Sequence, residues 1–135
     1  MPIVVGYIPT REGRAALRRA AAEAELRKAD LLVVNSDSGK NFEPDDMLRF
    51  ESALEGLRGR LNQVGVHVDV RQLVRGNEPA EDLIEAAESS QAELIVIGLR
   101  RRTPVGKLIL GSNAQRILLD ATCPVLAVKA TAEDD

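Results

Sequence analysis

The residues with the clearest chemical potential lie between Gly98 and Asn113. Gly98 follows an all-apolar strand, a basic loop comes next, and Gly111 and Ser112 then open a helix. Backbone N–H groups at a helix N-terminus bind anions, because they have no partner within the helix and the helix dipole adds positive potential. Together with the charge of the loop, this arrangement predicts an anion site, with phosphate as the preferred ligand.

Each part of this arrangement also has a purely structural interpretation. Gly111 and Ser112 could form an ordinary turn and helix N-cap. The loop holds four basic residues: Arg100, Arg101, Arg102 and Lys107. Such runs are usually solvated, so that a basic loop without a ligand remains the alternative.

Other chemical motifs are absent or favour structural roles. No Ser or Thr follows Gly106-Lys107, which excludes a P-loop, and no glycine-rich dinucleotide fingerprint follows the first strand. His67 is the only histidine, so no metal cluster is predicted. Cys123 precedes an apolar strand and predicts a buried structural thiol, with a redox role as the alternative. We predict no catalytic residue, because no general base faces the expected site.

Acidic residues in and after the second loop could contact Mg²⁺ on a bound nucleotide, or could simply begin a helix and face solvent. They are Asp37, Glu43, Asp45 and Asp46.

Composition narrows the class of protein. The chain has 135 residues and a net charge of −3, which disfavours non-specific nucleic-acid binding. No apolar run approaches the roughly 20 residues that cross a bilayer. A single cysteine excludes an intrachain disulfide and fits a reducing compartment. We therefore expect a cytoplasmic protein with one domain over residues 1–130 and a frayed acidic tail at 131–135.

Apolar runs alternate with helical patterns along the whole chain. Strands are predicted at residues 2–8, 31–34, 66–74, 94–97 and 125–128. Helices are predicted at residues 11–27, 44–64, 79–89 and 113–120, the first with Thr10 as its N-cap. Alternation of this kind predicts an α/β fold with a parallel sheet and helices on both faces.

The third predicted strand differs from the others, because Val66, Val68 and Val70 alternate with polar residues. One face of this strand should be wet, which places it at a sheet edge and favours the strand order 3-2-1-4-5. In that order the chain reverses direction between strands 1 and 4. Ligands of open α/β sheets bind at such a switch point, outside the carboxyl ends of the strands.

Several motifs together resemble the universal stress protein family. Its nucleotide-binding signature is Gly, two residues, Gly, nine residues, Gly, then Ser or Thr, and here Gly98, Gly111 and Ser112 are in register. Other matches are Gly76 followed by Pro79-Ala80, the strand 94–98, and the ending Cys123-Pro124-Val125-Leu126. The similarity extends from Ile3 to Val128. The resemblance implies a five-stranded, flavodoxin-like three-layer fold of the adenine nucleotide alpha hydrolase-like type.

The resemblance also implies a function: binding of ATP or a related adenine nucleotide between strands 1 and 4, with or without Mg²⁺ and without efficient turnover. Slow ATP hydrolysis is the least favoured alternative. The nucleotide-binding residues implied are Pro9, Thr10, Val34, Ile97, Gly98, Arg101, Gly111, Ser112 and Asn113. Val34 and Ile97 would flank the base. The resemblance further implies a homodimer, joined through the last strand at Val125–Val128.

Two residues depart from the nucleotide-binding pattern. Ile8 stands where nucleotide-binding members carry Asp, and a lost hydrogen bond of this kind costs about 1.5–3 kcal/mol, or roughly ten- to a hundredfold in affinity. Arg101 replaces the second signature glycine, and its side chain could either fill the phosphate space or grip the phosphates. These departures motivate the alternative function, a homodimeric regulatory or partner-binding module without nucleotide.

Overall fold

In the computed structural model, the described residues are 1–6, 10–35, 44–72, 78–99 and 110–130. They form five strands and four helices in strict alternation. The elements, in chain order, are β1 (Ile3–Gly6), α1 (Arg11–Arg27), β2 (Leu31–Asn35), α2 (Pro44–Gln63), β3 (Val68–Gln72), α3 (Pro79–Ser90), β4 (Leu94–Leu99), α4 (Ser112–Asp120) and β5 (Val125–Lys129).

The strands form one parallel sheet in the order β3-β2-β1-β4-β5, which confirms the predicted α/β class and strand order. The central strand β1 pairs with β2 on one side and with β4 on the other. Since β2 and β3 continue the sheet in one direction and β4 and β5 in the other, the predicted switch point between β1 and β4 is present.

The two faces of the sheet bury separate apolar clusters. Ile3 and Val5 face α1 and α2, whereas Val4 faces α3 and α4, as expected from the alternation of side chains along a strand. Three alanines of α1, Ala16, Ala20 and Ala24, are at most 1% exposed. Their small side chains let α1 lie close to the sheet, in a core whose side chains are almost all aliphatic.

The edge strand β3 has the predicted mixed character, with Val68 buried and Asp69 and Arg71 exposed. Two apolar residues are less buried than their helical spacing predicts. Val64 is 54% exposed because α2 ends one residue earlier, and Leu118 is 40% exposed because Ile117 is the buried residue of the short helix α4.

Several sequence predictions lie outside the described residues: the strand ends at residues 7–8 and 73–74, and the frayed tail at 131–135. A single domain over residues 1–130 stays a prediction. No helix in the described part of the chain combines the length and the apolar character that a membrane span requires.

Glycines of α2 provide a test of the helix assignment. Gly56 and Gly59 lie inside the helix, and a Cβ at either position would meet no atom within 4 Å. Changing either residue to Ala should therefore raise the free energy of unfolding by about 0.5–1 kcal/mol, measured by urea denaturation.

Gly65 is the matched control, because it also has open space but follows the helix with a φ of +84°. A Cβ is disfavoured in this left-handed region, so Gly65→Ala should lower the free energy of unfolding by about 1–2 kcal/mol. Equal effects at all three positions would contradict the assignment of the helix end.

Candidate functional site

The candidate site lies where the chain leaves β1 and β4 toward opposite faces of the sheet. After β1 the chain enters α1, which packs on one face, and after β4 it continues to α4, which packs on the other. Diverging connections of this kind leave a crevice at the carboxyl ends of the two strands. The N-termini of α1, α3 and α4 belong to the same edge of the sheet, because each helix runs back against the strands.

Gly98 permits a close approach between β4 and the first turn of α1. A Cβ at this position would overlap the backbone carbonyl oxygen of Glu12 and would lie 2.7 Å from its carbonyl carbon. Within the described residues, it is therefore the packing of α1 that requires residue 98 to have no side chain. The closer approach of a ligand to Gly98 stays a prediction.

Thr10 is the N-cap of α1, as predicted. Its Oγ1 accepts a hydrogen bond from the Gly13 N–H at 3.1 Å, and its carbonyl oxygen accepts from the Arg14 N–H at 2.9 Å. The first turn of this helix also contains Glu12. The positive end of α1 thus already has a hydroxyl acceptor and a carboxylate within the protein.

Within the described residues, the N-terminus of α4 has neither a side-chain cap nor a carboxylate in its first turn. Its N-cap Gly111 is extended, at φ −70° and ψ 165°, and supplies no side-chain hydrogen bond. The first turn contains no acidic residue, and Ser112 at its start is exposed. By contrast, α3 has Glu81 and Asp82 in its first turn, and Asp45 and Asp46 follow the first residue of α2. Among the four helices, α4 has the N-terminus best suited to an external anion.

Asn113 joins the N-termini of α4 and α3. Its Oδ1 accepts a hydrogen bond from the Ala80 N–H at 3.3 Å, which caps α3, whose own N-cap Glu78 makes no side-chain capping bond. One turn further along α4, Arg116 forms an ion pair with Glu81 at 2.8 Å. Neither contact could be predicted from the sequence, because the paired residues are 33 and 35 positions apart.

Val34 and Ile97 lie on the α3 and α4 side of the sheet, but both are buried, at 2% and 6% exposure. Gly6, which is in register with Val34, ends β1 on the same face. Little side-chain surface of Val34 and Ile97 is therefore open to a base, and any contact would involve the ends of their strands. Their role in flanking a base stays a prediction.

The remaining predicted site residues, Pro9 and Arg101, lie outside the described residues, as do Ile8 and the rest of the basic loop. In the part of the chain that the structure describes, no three His, Cys, Asp or Glu side chains are grouped to hold a metal ion. The described part of the candidate site therefore consists of the residues around Thr10, Gly98 and the start of α4.

Substitution of Gly98 tests its contact with α1. Gly98→Ala should lower the free energy of unfolding by about 1–3 kcal/mol, because the added methyl group meets backbone atoms that have little room to shift. Gly6→Ala is the control, since its Cβ would make an ordinary 3.7 Å contact with Leu83 Cδ2. Thermal unfolding of both variants measures the difference, and an equal loss in Gly6→Ala would contradict this role of Gly98.

Cys123 is half-buried beside the cluster under α3 and α4, rather than fully buried as the sequence suggested. Desolvation raises the pKa of its thiol above the ordinary value. Because the thiolate is the reactive form, alkylation by iodoacetamide at pH 7.5, a pH chosen at about one unit below the ordinary thiol pKa, should be slower in the folded protein than in urea. Faster alkylation of the folded protein would favour the redox alternative.

Comparison with known proteins identifies the family. A model of the universal stress protein family matches residues 1–129. A universal stress protein of Mycolicibacterium smegmatis is 44% identical over 127 residues, which cover 94% of this chain and 96% of the relative. The structure of a universal stress protein from Archaeoglobus fulgidus is 37% identical with a TM-score of 0.72, covering 96% of this chain and 98% of that one.

A second structure, of the universal stress protein from Archaeoglobus fulgidus in complex with dAMP, is 32% identical with a TM-score of 0.68, again covering 96% of this chain and 98% of the other. These matches agree with the signature residues Gly98, Gly111 and Ser112 and with the strand order of the sheet. The chain belongs to the universal stress protein family.

Proposed function

We propose that this protein binds ATP or a related adenine nucleotide at the β1/β4 switch point, with the phosphates at the N-terminus of α4. The observation that carries the proposal is the first turn of α4, which has neither a side-chain cap from Gly111 nor an acidic residue. The relative that was solved in complex with dAMP supports an adenine nucleotide as the ligand class.

A phosphate bound at a helix N-terminus competes with protein carboxylates for the same N–H groups. A carboxylate in the first turn of a helix neutralises the helix dipole and occupies donors that a phosphate would otherwise use. The first turns of α1 and α3 contain such carboxylates, and that of α4 does not. Within the described residues, a phosphate at α4 would therefore gain hydrogen bonds and favourable charge without displacing a side-chain cap or a first-turn carboxylate.

The proposed binding residues divide between the two sides of the crevice. On the α4 side, Gly111, Ser112 and Asn113 offer backbone N–H groups, and the exposed Ser112 adds a hydroxyl. On the α1 side, Pro9 and Thr10 would contact the nucleotide. In this proposal the Arg101 guanidinium assists with the phosphates, and Mg²⁺ could accompany them.

We propose binding without efficient turnover. The phosphates are proposed to lie at the start of α4, whose first two residues are Ser112 and Asn113. Their side chains are neutral and weakly basic, so neither would activate a water molecule well. A slow ATPase is the less favoured version of the same site. A cytoplasmic location and the absence of nucleic-acid and membrane partners are also predictions.

A second candidate function is a homodimeric regulatory module without bound nucleotide. The edge strand β5 favours dimerisation, because its residues Val125–Val128 are only half-buried, unlike the fully buried strand β2. On the adjacent helix, Leu119 is 82% exposed. An apolar edge of this kind requires protection from other chains, which pairing with a second β5 would supply.

The charge of residue 112 separates the two candidates. Ser112→Asp places a carboxylate at the first position of α4, where it favours the helix but repels phosphate. We expect isothermal titration calorimetry with Mg-ATP to show at least about tenfold weaker binding, since like charges a few ångströms apart repel by more than 1 kcal/mol.

Ser112→Asn is the matched control, because it has nearly the shape of Asp without the charge. Its affinity for ATP should stay within about threefold of the wild type, the scale of one neutral hydrogen bond. Equal binding by the Asp and Asn variants would exclude the α4 N-terminus as the phosphate site. No heat of binding by the wild type at millimolar ATP would leave the regulatory module as the function.

A further inference from the structure

The backbone N–H and the side-chain Oδ1 of Asn113 serve different partners. It is the second residue of α4, so its backbone N–H is one of the donors without a partner in the helix. Its side-chain Oδ1 accepts from the Ala80 N–H of α3, in a partly buried hydrogen bond of 3.3 Å. One residue therefore connects the N-terminus of α4 to the N-terminus of α3.

This connection constrains a helix that is otherwise weakly held. α4 has nine residues, of which only Ile117 is buried, and its N-cap residue is a glycine without a side-chain bond. α3 is better anchored, since Ala80, Leu83, Ala86 and Ala87 are all buried. A hydrogen bond from the anchored helix limits the positions that the first turn of α4 can take.

We propose that Asn113 is a positioning residue for the nucleotide phosphates: by capping α3 through Ala80, it holds the N–H groups of α4 in place to receive the anion. This inference rests on the proposed function. The side chain of Asn113 thus holds α3 through Oδ1, while the anion is received by the backbone N–H groups of α4. Binding at α4 and hydrogen bonding at Ala80 are then thermodynamically coupled.

The two possible roles of Asn113 predict opposite changes at Ala80. If Asn113 positions α4, a bound nucleotide stabilises the whole arrangement and hydrogen exchange of the Ala80 amide slows. If nucleotide binding instead rotates the Asn113 side chain away from α3, so that Oδ1 leaves Ala80, the Ala80 amide loses its acceptor and exchanges faster. Residue-resolved amide exchange by NMR, without and with saturating Mg-ATP, measures this sign directly.

Asn113→Ala removes the acceptor of the Ala80 bond. Without nucleotide, exchange of the Ala80 amide should become about two- to tenfold faster, the range that corresponds to one net hydrogen bond. The dissociation constant for Mg-ATP, measured by calorimetry, should rise by a similar factor, and added nucleotide should no longer slow exchange at Ala80.

Arg116→Gln is the control, because it removes the other described polar link between α3 and α4 but leaves Asn113 and Ala80 unchanged. Its Ala80 exchange and its affinity for ATP should stay within about twofold of the wild type, as is usual for an exposed ion pair.

Faster exchange at Ala80 on adding nucleotide to the wild type would overturn the proposal, as would unchanged affinity in Asn113→Ala. Those results require a wild type that binds ATP. Absence of binding by the wild type would be a separate failure, since it would overturn the proposed function and the positioning role together.

Discussion

The N–H groups at the start of each helix require hydrogen-bond acceptors. The structure at the carboxyl ends of the strands depends on how each helix obtains them. α1 obtains its acceptor locally from Thr10, and α3 obtains one from Asn113 of α4. In α4, the glycine N-cap supplies no side-chain acceptor. Because these helices run back against a parallel sheet, their N-termini lie at the carboxyl ends of the strands, and in the part of the chain that the structure describes the first turn of α4 contains no acidic residue.

The close packing of α1 on one face of the sheet determines the position of its N-terminus at the carboxyl ends of the strands. The alanines of α1 allow the helix to approach the sheet, and Gly98 allows its first turn to rest against the end of β4. The first glycine of the nucleotide-binding signature thus has a structural use that is independent of ligand. Loss of this contact would shift the first turn of α1 relative to the end of β4.

The fold could be predicted from local patterns because those patterns are strong. Alternating valines and polar residues placed β3 at an edge, and apolar runs separated by helical stripes then fixed a parallel sheet with few possible orders. The proposed anion site could also be located, since Gly98, Gly111 and Ser112 match the spacing of the family signature, but its ligand stays a prediction. Three other features could not be predicted, because they depend on contacts between residues that are distant in the sequence. They are the hydrogen bond from Ala80 to Asn113, the close approach of Glu12 to Gly98, and the exposure of Leu118.

The proposed role of the amide groups at the start of α4 is to receive the phosphates of an adenine nucleotide. Its most direct measurement is an NMR titration of the ¹⁵N-labelled protein with Mg-ATP, following the backbone amides. In the part of the chain that the structure describes, we expect the amides of Ser112 and Asn113 to shift furthest, because they would gain charged acceptors. Saturable binding that leaves both amides unshifted would contradict the account.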